Sequence, residues 1–338
     1  MPSNFNNLSP YLTPSIPYRK AQETIVPITV YNIFPIFSPY PKARWANLCA
    51  NLSGENSGNC FRLTIISRRN IFPVSSPNDC FCKVIFKARY ISSDSLYFSL
   101  AVSTSPEEKI TEGLDGLRER LTEYYKLGAR FTKWRAVYNI SDKFPSELSI
   151  KSNAHALARY AALAQEAKMV PIVEPEVLMD GDHDINKCYE ITSKVLKECY
   201  KKLALHKINL KGTILKPNMI LPGDKSKNKS NSEEIAKMTI KCLKENVPSE
   251  VPGIAFLSGG QTEVEATQNL NEINKINDTN FLMSFSYGRA LQQSALKNWA
   301  KNIKDTSNTQ KIFDHRSKMN GLSTTAKWNI KLENQVSA

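Results

Sequence analysis

From residue 109 onward, short runs of apolar residues alternate with longer stretches in which hydrophobic positions recur every three or four residues. The runs FTKWRAVYNI (131–140), VPIVEPEV (170–177), GTILKPNMI (212–220), GIAFLSGG (253–260) and FLMSFSYG (281–288) have the length and near-continuous apolarity of strands buried on both faces. Between them the spacing predicts helices over about 154–167, 186–205, 232–245, 263–275 and 290–303, and a further helix over 114–127 precedes the first run. Ala154, Leu157, Ala158 and Ala161 share one face of the first, as Tyr189, Leu196, Tyr200 and Leu203 do in the second. Strand starts at 131, 170, 212, 253 and 281 set a repeat of 28 to 42 residues. Five successive βα units imply an α/β fold with a parallel sheet covered by helices, either an open doubly wound sheet or a (β/α)8 barrel.

Residues 1–108 read differently. They hold eleven of the 18 prolines and four of the seven cysteines, and no helical pattern follows their β-branched or aromatic runs at 24–34, 61–66, 82–91 and 95–102. A proline-broken series of short strands is the local expectation. Residues 304–338 are polar with sparse apolar anchors, which predicts a polar C-terminal tail running partly ordered over the surface. The chain thus divides into 1–108, 109–303 and 304–338.

A length of 338 residues suits one large barrel or two ordinary domains. The hydrophobic share of 41% and charged share of 23% are those of a globular protein, and no apolar run approaches the roughly 18 to 20 residues that span a bilayer. No membrane partner is expected. The opening MPSNFNNLSPYLTPSIPYRK lacks a basic region followed by an apolar one, so a cytoplasmic location is expected. A formal charge of +13 favours anionic partners, phosphorylated metabolites among them; no nucleic-acid-binding motif accompanies it, and no nucleic acid is expected.

Seven cysteines without CxxC spacing support neither a disulfide framework nor a structural zinc site. His155, His183, His206 and His315 show neither HxH nor HExxH spacing, so no metal is expected. The string DGDHD (180–184) reads as an acidic cap on the helix that follows. No GxGxxG or GxxxxGK[ST] follows any strand, which argues against a dinucleotide or P-loop site.

In parallel α/β folds chemistry gathers where the strands end. Lys133 lies inside FTKWRAV, and Lys216 closes GTIL immediately before Pro217. A lysine inside a buried strand requires a reason, because its charged form is costly there. Glu174 and Glu176, two residues apart in VEPEV, project to one face and could oppose those cations. The cluster reads either as a structural ion-pair network or as an acid/base centre beside an amine nucleophile. A lysine that is partly desolvated and flanked by a second cation has a lowered pKa, which favours the neutral amine that attacks a carbonyl. Ser258-Gly259-Gly260 and Ser286-Tyr287-Gly288-Arg289 form turns leading into helices, where backbone N–H groups and a guanidinium suit a phosphate.

From GLDGLRERLTEYYKLGARFTKWRAV (113–137) through ARYAALAQEAKMVPIVEPEVLMDGDHD, GTILKPNMILPG, FLSGGQTEVEATQNLNEIN and FSYGRALQQSALKNWA, the sequence resembles class I fructose-bisphosphate aldolase. The resemblance spans about residues 111–303. It implies a (β/α)8 barrel whose fourth to eighth strands are those recognised here, assembled as a homotetramer, acting on sugar phosphates without metal or other cofactor. By the same resemblance Lys216 is the Schiff-base lysine, Glu174 the general acid/base, Lys133 a cation that binds and polarises the substrate, and Glu176 a supporting carboxylate. Arg135, Ser258, Gly259, Ser286, Gly288 and Arg289 stand at substrate- or phosphate-binding positions.

Residues 1–108 show no recognisable counterpart of the family's first three strands, with their catalytic aspartate and lysine; Asp79 and Asp94 sit in unrelated contexts, and the chain ends QVSA where the family has a tyrosine. Two expectations follow: a carbon–carbon lyase whose N-terminal third has diverged, or an aldolase-like chain impaired in catalysis, with a binding or scaffold role or arising from a truncated or mis-spliced gene.

Overall fold

The computed structural model describes residues 99–102 and 105–333. Strands β1 (Ser99–Val102) and β2 (Ser105–Thr111) form an antiparallel pair, with Ser99 opposite Thr111. Helix α1 (Leu117–Lys126) then leads into β3 (Phe131–Tyr138), α2 (Glu147–Glu166), β4 (Val170–Val177), α3 (Ile185–Leu205) and β5 (Ile214–Leu215). Next come α4 (Ser232–Asn246), β6 (Gly253–Phe256), α5 (Glu263–Lys275), β7 (Leu282–Phe285), α6 (Arg289–Lys301), α7 (Thr306–Ser323) and the short α8 (Ile330–Glu333). The sheet β3-β4-β5-β6-β7 is wholly parallel and follows chain order, so each strand lies beside its predecessor with a helix between them. This is the arrangement of five consecutive units of a barrel wall.

Strand alternation sorts the core into two clusters. Trp134, Ala136, Tyr138, Val173, Leu215, Ile254, Phe256, Met283 and Phe285 face outward into one cluster with the helices. On the inner face, Ile172, Ile214 and Ala255 pack with Phe131 and Val170. The alanines of α2 (Ala154, Ala158, Ala161, Ala164) are fully buried, and small residues there let the helix lie close against the sheet.

The helix starts are held by side chains. Ser146 accepts from Ser149 N, Asp184 from Lys187 N and Asn231 from Glu234 N, while Thr262 and Glu265 form a reciprocal capping box at α5. Each such cap contributes about 1 kcal/mol. Asp184 thus gives DGDHD the capping role expected of it.

Two expectations need correction. The run 212–220 is not one strand, since β5 ends at Leu215. Pro217 has no N–H to donate, so the ladder cannot continue regularly. The buried backbone beyond is satisfied by side chains instead: Val177 N donates to Asn218 Oδ1 at 3.0 Å, and Ile220 N to Thr239 Oγ1 at 3.0 Å.

The predicted surface tail is also wrong for residues 306–333, which are helical and packed. Phe313, Met319 and Trp328 are buried, and Arg316, 5% exposed, donates to both carboxylate oxygens of Glu333 at 2.7 and 2.8 Å and to Thr267 Oγ1 at 2.8 Å. Polar groups fasten this segment to α5, with Thr267 Oγ1 donating to Asn320 Oδ1 and Trp328 N to Asn271 Oδ1. Apolar periodicity therefore could not announce it. The predicted strand runs at 24–34, 61–66 and 82–91, and the first residues of 95–102, lie outside the described residues.

Candidate active site

The inner face of the sheet brings Lys133, Glu174 and Lys216 together. Lys216 Nζ lies 2.7 Å from Glu174 Oε1, and Lys133 Nζ lies 2.8 Å from Glu174 Oε2, so one carboxylate bridges two ammonium groups. The strands impose this: β3 and β4 run in register, and Lys216 N donates to Val173 O at 2.8 Å, which sets Lys216 beside Glu174. Glu174 is 2% and Lys216 9% exposed, so both charges have left water and depend on each other.

Burial pushes the Glu174 carboxyl up, but the Lys216 and Lys133 ammonium groups outweigh it and hold the carboxyl below its ordinary value. Burial pulls the Lys216 ammonium below its ordinary value; Glu174 opposes that fall and Lys133 adds to it. The neutral amine is thereby more accessible than in a surface lysine.

A second pair extends the site along the same face. Arg135 Nε donates to Glu176 Oε2 at 2.5 Å, and Thr111 Oγ1 donates to the Arg135 carbonyl at 2.6 Å. Glu176 is buried while Arg135 is about half exposed, so the guanidinium reaches toward solvent from a fixed carboxylate.

The expected phosphate positions lie at the ends of β6 and β7. Ser258 is buried, and its carbonyl accepts from Gln261 N at 3.0 Å and Gln261 Nε2 at 2.8 Å, closing the turn. Gly259 (φ 56°) and Gly260 (φ 90°) adopt left-handed backbone there. A Cβ on Gly260 would stand 2.9 Å from Met179 Sδ and 4.0 Å from Arg289 Nη2, which places this turn against Arg289. Ser286 N donates to Phe256 O at 2.8 Å, tying the start of the second turn to the end of β6. Gly288 is the N-cap of α6 and offers no side-chain cap, so the first N–H groups of that helix, beside Arg289, remain suited to an anion.

Nine of the ten residues singled out by sequence therefore lie on the inner face of the sheet or in the turns that follow its strands, and Arg289 opens α6. Sequence reading missed two supports. Asn218 locks the end of β5 to β4 and to Thr192 Oγ1 at 3.2 Å, and Thr111 fixes the backbone of Arg135. A polar residue inside the apolar run KPNMI was the available signal for Asn218. Asp79 and Asp94 lie outside the described residues. Among the described residues no group of three or more His, Cys, Asp or Glu could hold a metal ion, and no helix is long and apolar enough to cross a membrane.

The family model for fructose-bisphosphate aldolase class-I matches residues 87–338, which takes in the tail helices and the β1–β2 pair as well as the five βα units. The chain is 51% identical over 224 residues to a probable fructose-bisphosphate aldolase class 1 of Xylella fastidiosa, covering 66% of this chain and 67% of that one. It is 52% identical over 218 residues to fructose-bisphosphate aldolase 4, cytosolic, of Arabidopsis thaliana, covering 64% of this chain and 56% of that protein. Among solved structures, a fructose-bisphosphate aldolase from Plasmodium falciparum, crystallised with TRAP and a small-molecule inhibitor, superposes with a TM-score of 0.67 at 42% identity, over 68% of this chain and 67% of that one. The five parallel units, the inward lysine–glutamate cluster and these matches agree that the chain belongs to the class I fructose-bisphosphate aldolase family, with its (β/α)8 barrel fold.

Proposed function

We propose that the chain is a Schiff-base carbon–carbon lyase, reversibly cleaving fructose 1,6-bisphosphate to dihydroxyacetone phosphate and glyceraldehyde 3-phosphate. The observation that carries this reading is the Glu174 carboxylate held between Lys216 and Lys133. A single buried carboxylate touching a lysine of lowered pKa can accept a proton from the ammonium and return it to the oxygen that must leave.

Lys216 attacks the C2 ketone, and loss of water from the carbinolamine gives an iminium. The iminium takes the pair of the bond between the third and fourth carbons as that bond breaks, while the C4 hydroxyl proton passes to the Glu174 carboxylate and leaves the aldehyde; the enamine on Lys216 then takes a proton at C3 and is hydrolysed to release dihydroxyacetone phosphate. Lys133 polarises the substrate oxygens, and Glu176 fixes Arg135 so that its guanidinium is presented rather than folded away. Ser258, Gly259, Ser286, Gly288 and Arg289 hold a phosphate through backbone N–H groups, hydroxyls and one guanidinium. The reading includes a place in glycolysis and gluconeogenesis, a cytosolic compartment like that named for the Arabidopsis relative, and assembly into a homotetramer.

The test incubates the purified protein with dihydroxyacetone phosphate and borohydride, reads the mass gain on the Lys216 peptide, and assays fructose 1,6-bisphosphate cleavage on the same sample. A reduced adduct on Lys216 together with cleavage is the expected result. No adduct on Lys216 sinks the Schiff-base reading, and an adduct without cleavage supports an aldolase-like chain impaired in turnover.

A further inference from the structure

The turn after β6 presents two backbone donors that bind nothing in the protein. Gly259 is half-buried and Gly260 exposed, and among the described residues neither N–H donates a hydrogen bond. Both hold left-handed backbone, at φ 56° and 90°, a shape that a free chain keeps only if something fixes it.

The next side chain fixes it. Gln261 is buried, and its backbone N and its Nε2 both donate to Ser258 O, at 3.0 and 2.8 Å. Asn269 Nδ2, from α5, donates to Gln261 Oε1 at 2.6 Å, so the amide cannot turn away. Gln261 Nε2 also lies 3.7 Å from Met219 Sδ, three residues beyond Lys216. Leu257 N donates to Pro217 O at 3.1 Å, which pins the start of the turn to the same segment. Closing the turn needs only the backbone bond. The side chain does more: it joins the turn to α5 on one side and to the Lys216 segment on the other, and every polar atom of its amide is used.

We propose that Gln261 is a positioning residue that sets the Ser258–Gly260 turn at a fixed span from Lys216, so that a phosphate bound by the turn delivers the neighbouring carbonyl to the amine. The inference rests on the Schiff-base and phosphate readings above. In dihydroxyacetone phosphate only a methylene and an ester oxygen separate the carbonyl carbon from phosphorus. A turn displaced by about 1 Å therefore either loses the phosphate oxygens or draws the carbonyl off the amine. Gln261 makes no contact with the substrate in this scheme and acts through the backbone of Gly259 and Gly260, while Arg289, against Gly260, supplies the charge.

The experiment traps the protein with borohydride over a range of dihydroxyacetone phosphate, and separately of dihydroxyacetone, which has no phosphate, and reads the adduct on Lys216 by mass spectrometry. Gln261→Met keeps the length of the side chain and removes both amide bonds. It should raise the dihydroxyacetone phosphate concentration for half-maximal trapping about tenfold, while trapping with dihydroxyacetone stays within about twofold of the parent. Asn269→Ala leaves Gln261 in place but unlatched and should raise the same concentration about threefold; the double variant should go no further than Gln261→Met. An unchanged concentration in Gln261→Met overturns the proposal, as does an equal loss with dihydroxyacetone, the mark of a glutamine that only holds the fold. If Gln261→Met does not fold, Asn269→Ala decides on the same two criteria. A parent that traps neither compound at Lys216 removes the Schiff-base reading and this inference with it, and a parent with the same half-maximal concentration for both removes the phosphate reading and the inference.

Discussion

Arg135 stands directly opposite Glu174 in the β3–β4 ladder, yet its guanidinium binds Glu176, two residues farther along the same face. Lys133 makes the same forward step: it faces Ile172 in the ladder and pairs with Glu174. Because each cation reaches one pleat ahead, Glu174 keeps an oxygen for Lys216, and the strand's two carboxylates serve three cations without competing.

Replacing Glu174 by Gln should leave Lys133 and Lys216 facing each other with no carboxylate between them. On the proposed mechanism this removes the proton carrier, so the rate of adduct formation on Lys216 should fall by roughly 10² to 10⁴. Timed borohydride trapping measures it; a rate within twofold of the parent would remove Glu174 from the proton path.

The pH dependence has a definite sign. Lys216 is held below its ordinary value, so its amine becomes available at a lower pH than an exposed lysine's, and trapping should rise with pH and level off before about 10.4. Glu174, held below the ordinary carboxyl value of 4.5, contributes stability that is fully present above 4.5 and lost as pH falls through its lower folded value. Melting of the parent and Glu174→Gln between pH 3 and 7 should therefore show a gap that narrows at the acid end.

Gly260→Ala should disturb the turn between β6 and α5 rather than the core. Its backbone lies at φ 90° and its new Cβ would meet Met179 Sδ at 2.9 Å, so strain of about 1–3 kcal/mol is expected. Since Arg289 lies against this glycine, the Michaelis constant for fructose 1,6-bisphosphate should rise more than the turnover number falls.

Arg316→Ala should detach the C-terminal helices. It leaves Glu333 without its bidentate partner and Thr267 without a donor, at a cost of about 3–5 kcal/mol. A lower melting temperature and new protease cleavage after residue 305 would report it; an unchanged melting curve would mean that Phe313, Met319 and Trp328 hold the segment by themselves.

The five βα units were legible because their strands are apolar on both faces and their helices carry a periodic stripe, patterns that local spacing records directly. Lys133, Glu174 and Lys216 stood out for the complementary reason: each is a charge inside such a run. The tail was not legible, because Arg316, Glu333, Thr267 and Asn320 hold it by hydrogen bonds between segments far apart in the chain. Nor could spacing reveal that Pro217 ends β5 after two residues or that Asn218 takes over its bonding.

By itself the sequence determined the order of strands and helices, the family, and which charges would be forced into an apolar sheet, since those depend on residue type and local period. Only the tertiary structure decided that one carboxylate serves both lysines and that Arg135 passes over its ladder neighbour for Glu176. Those facts depend on register between strands, and register is fixed by packing across the sheet rather than by any one segment.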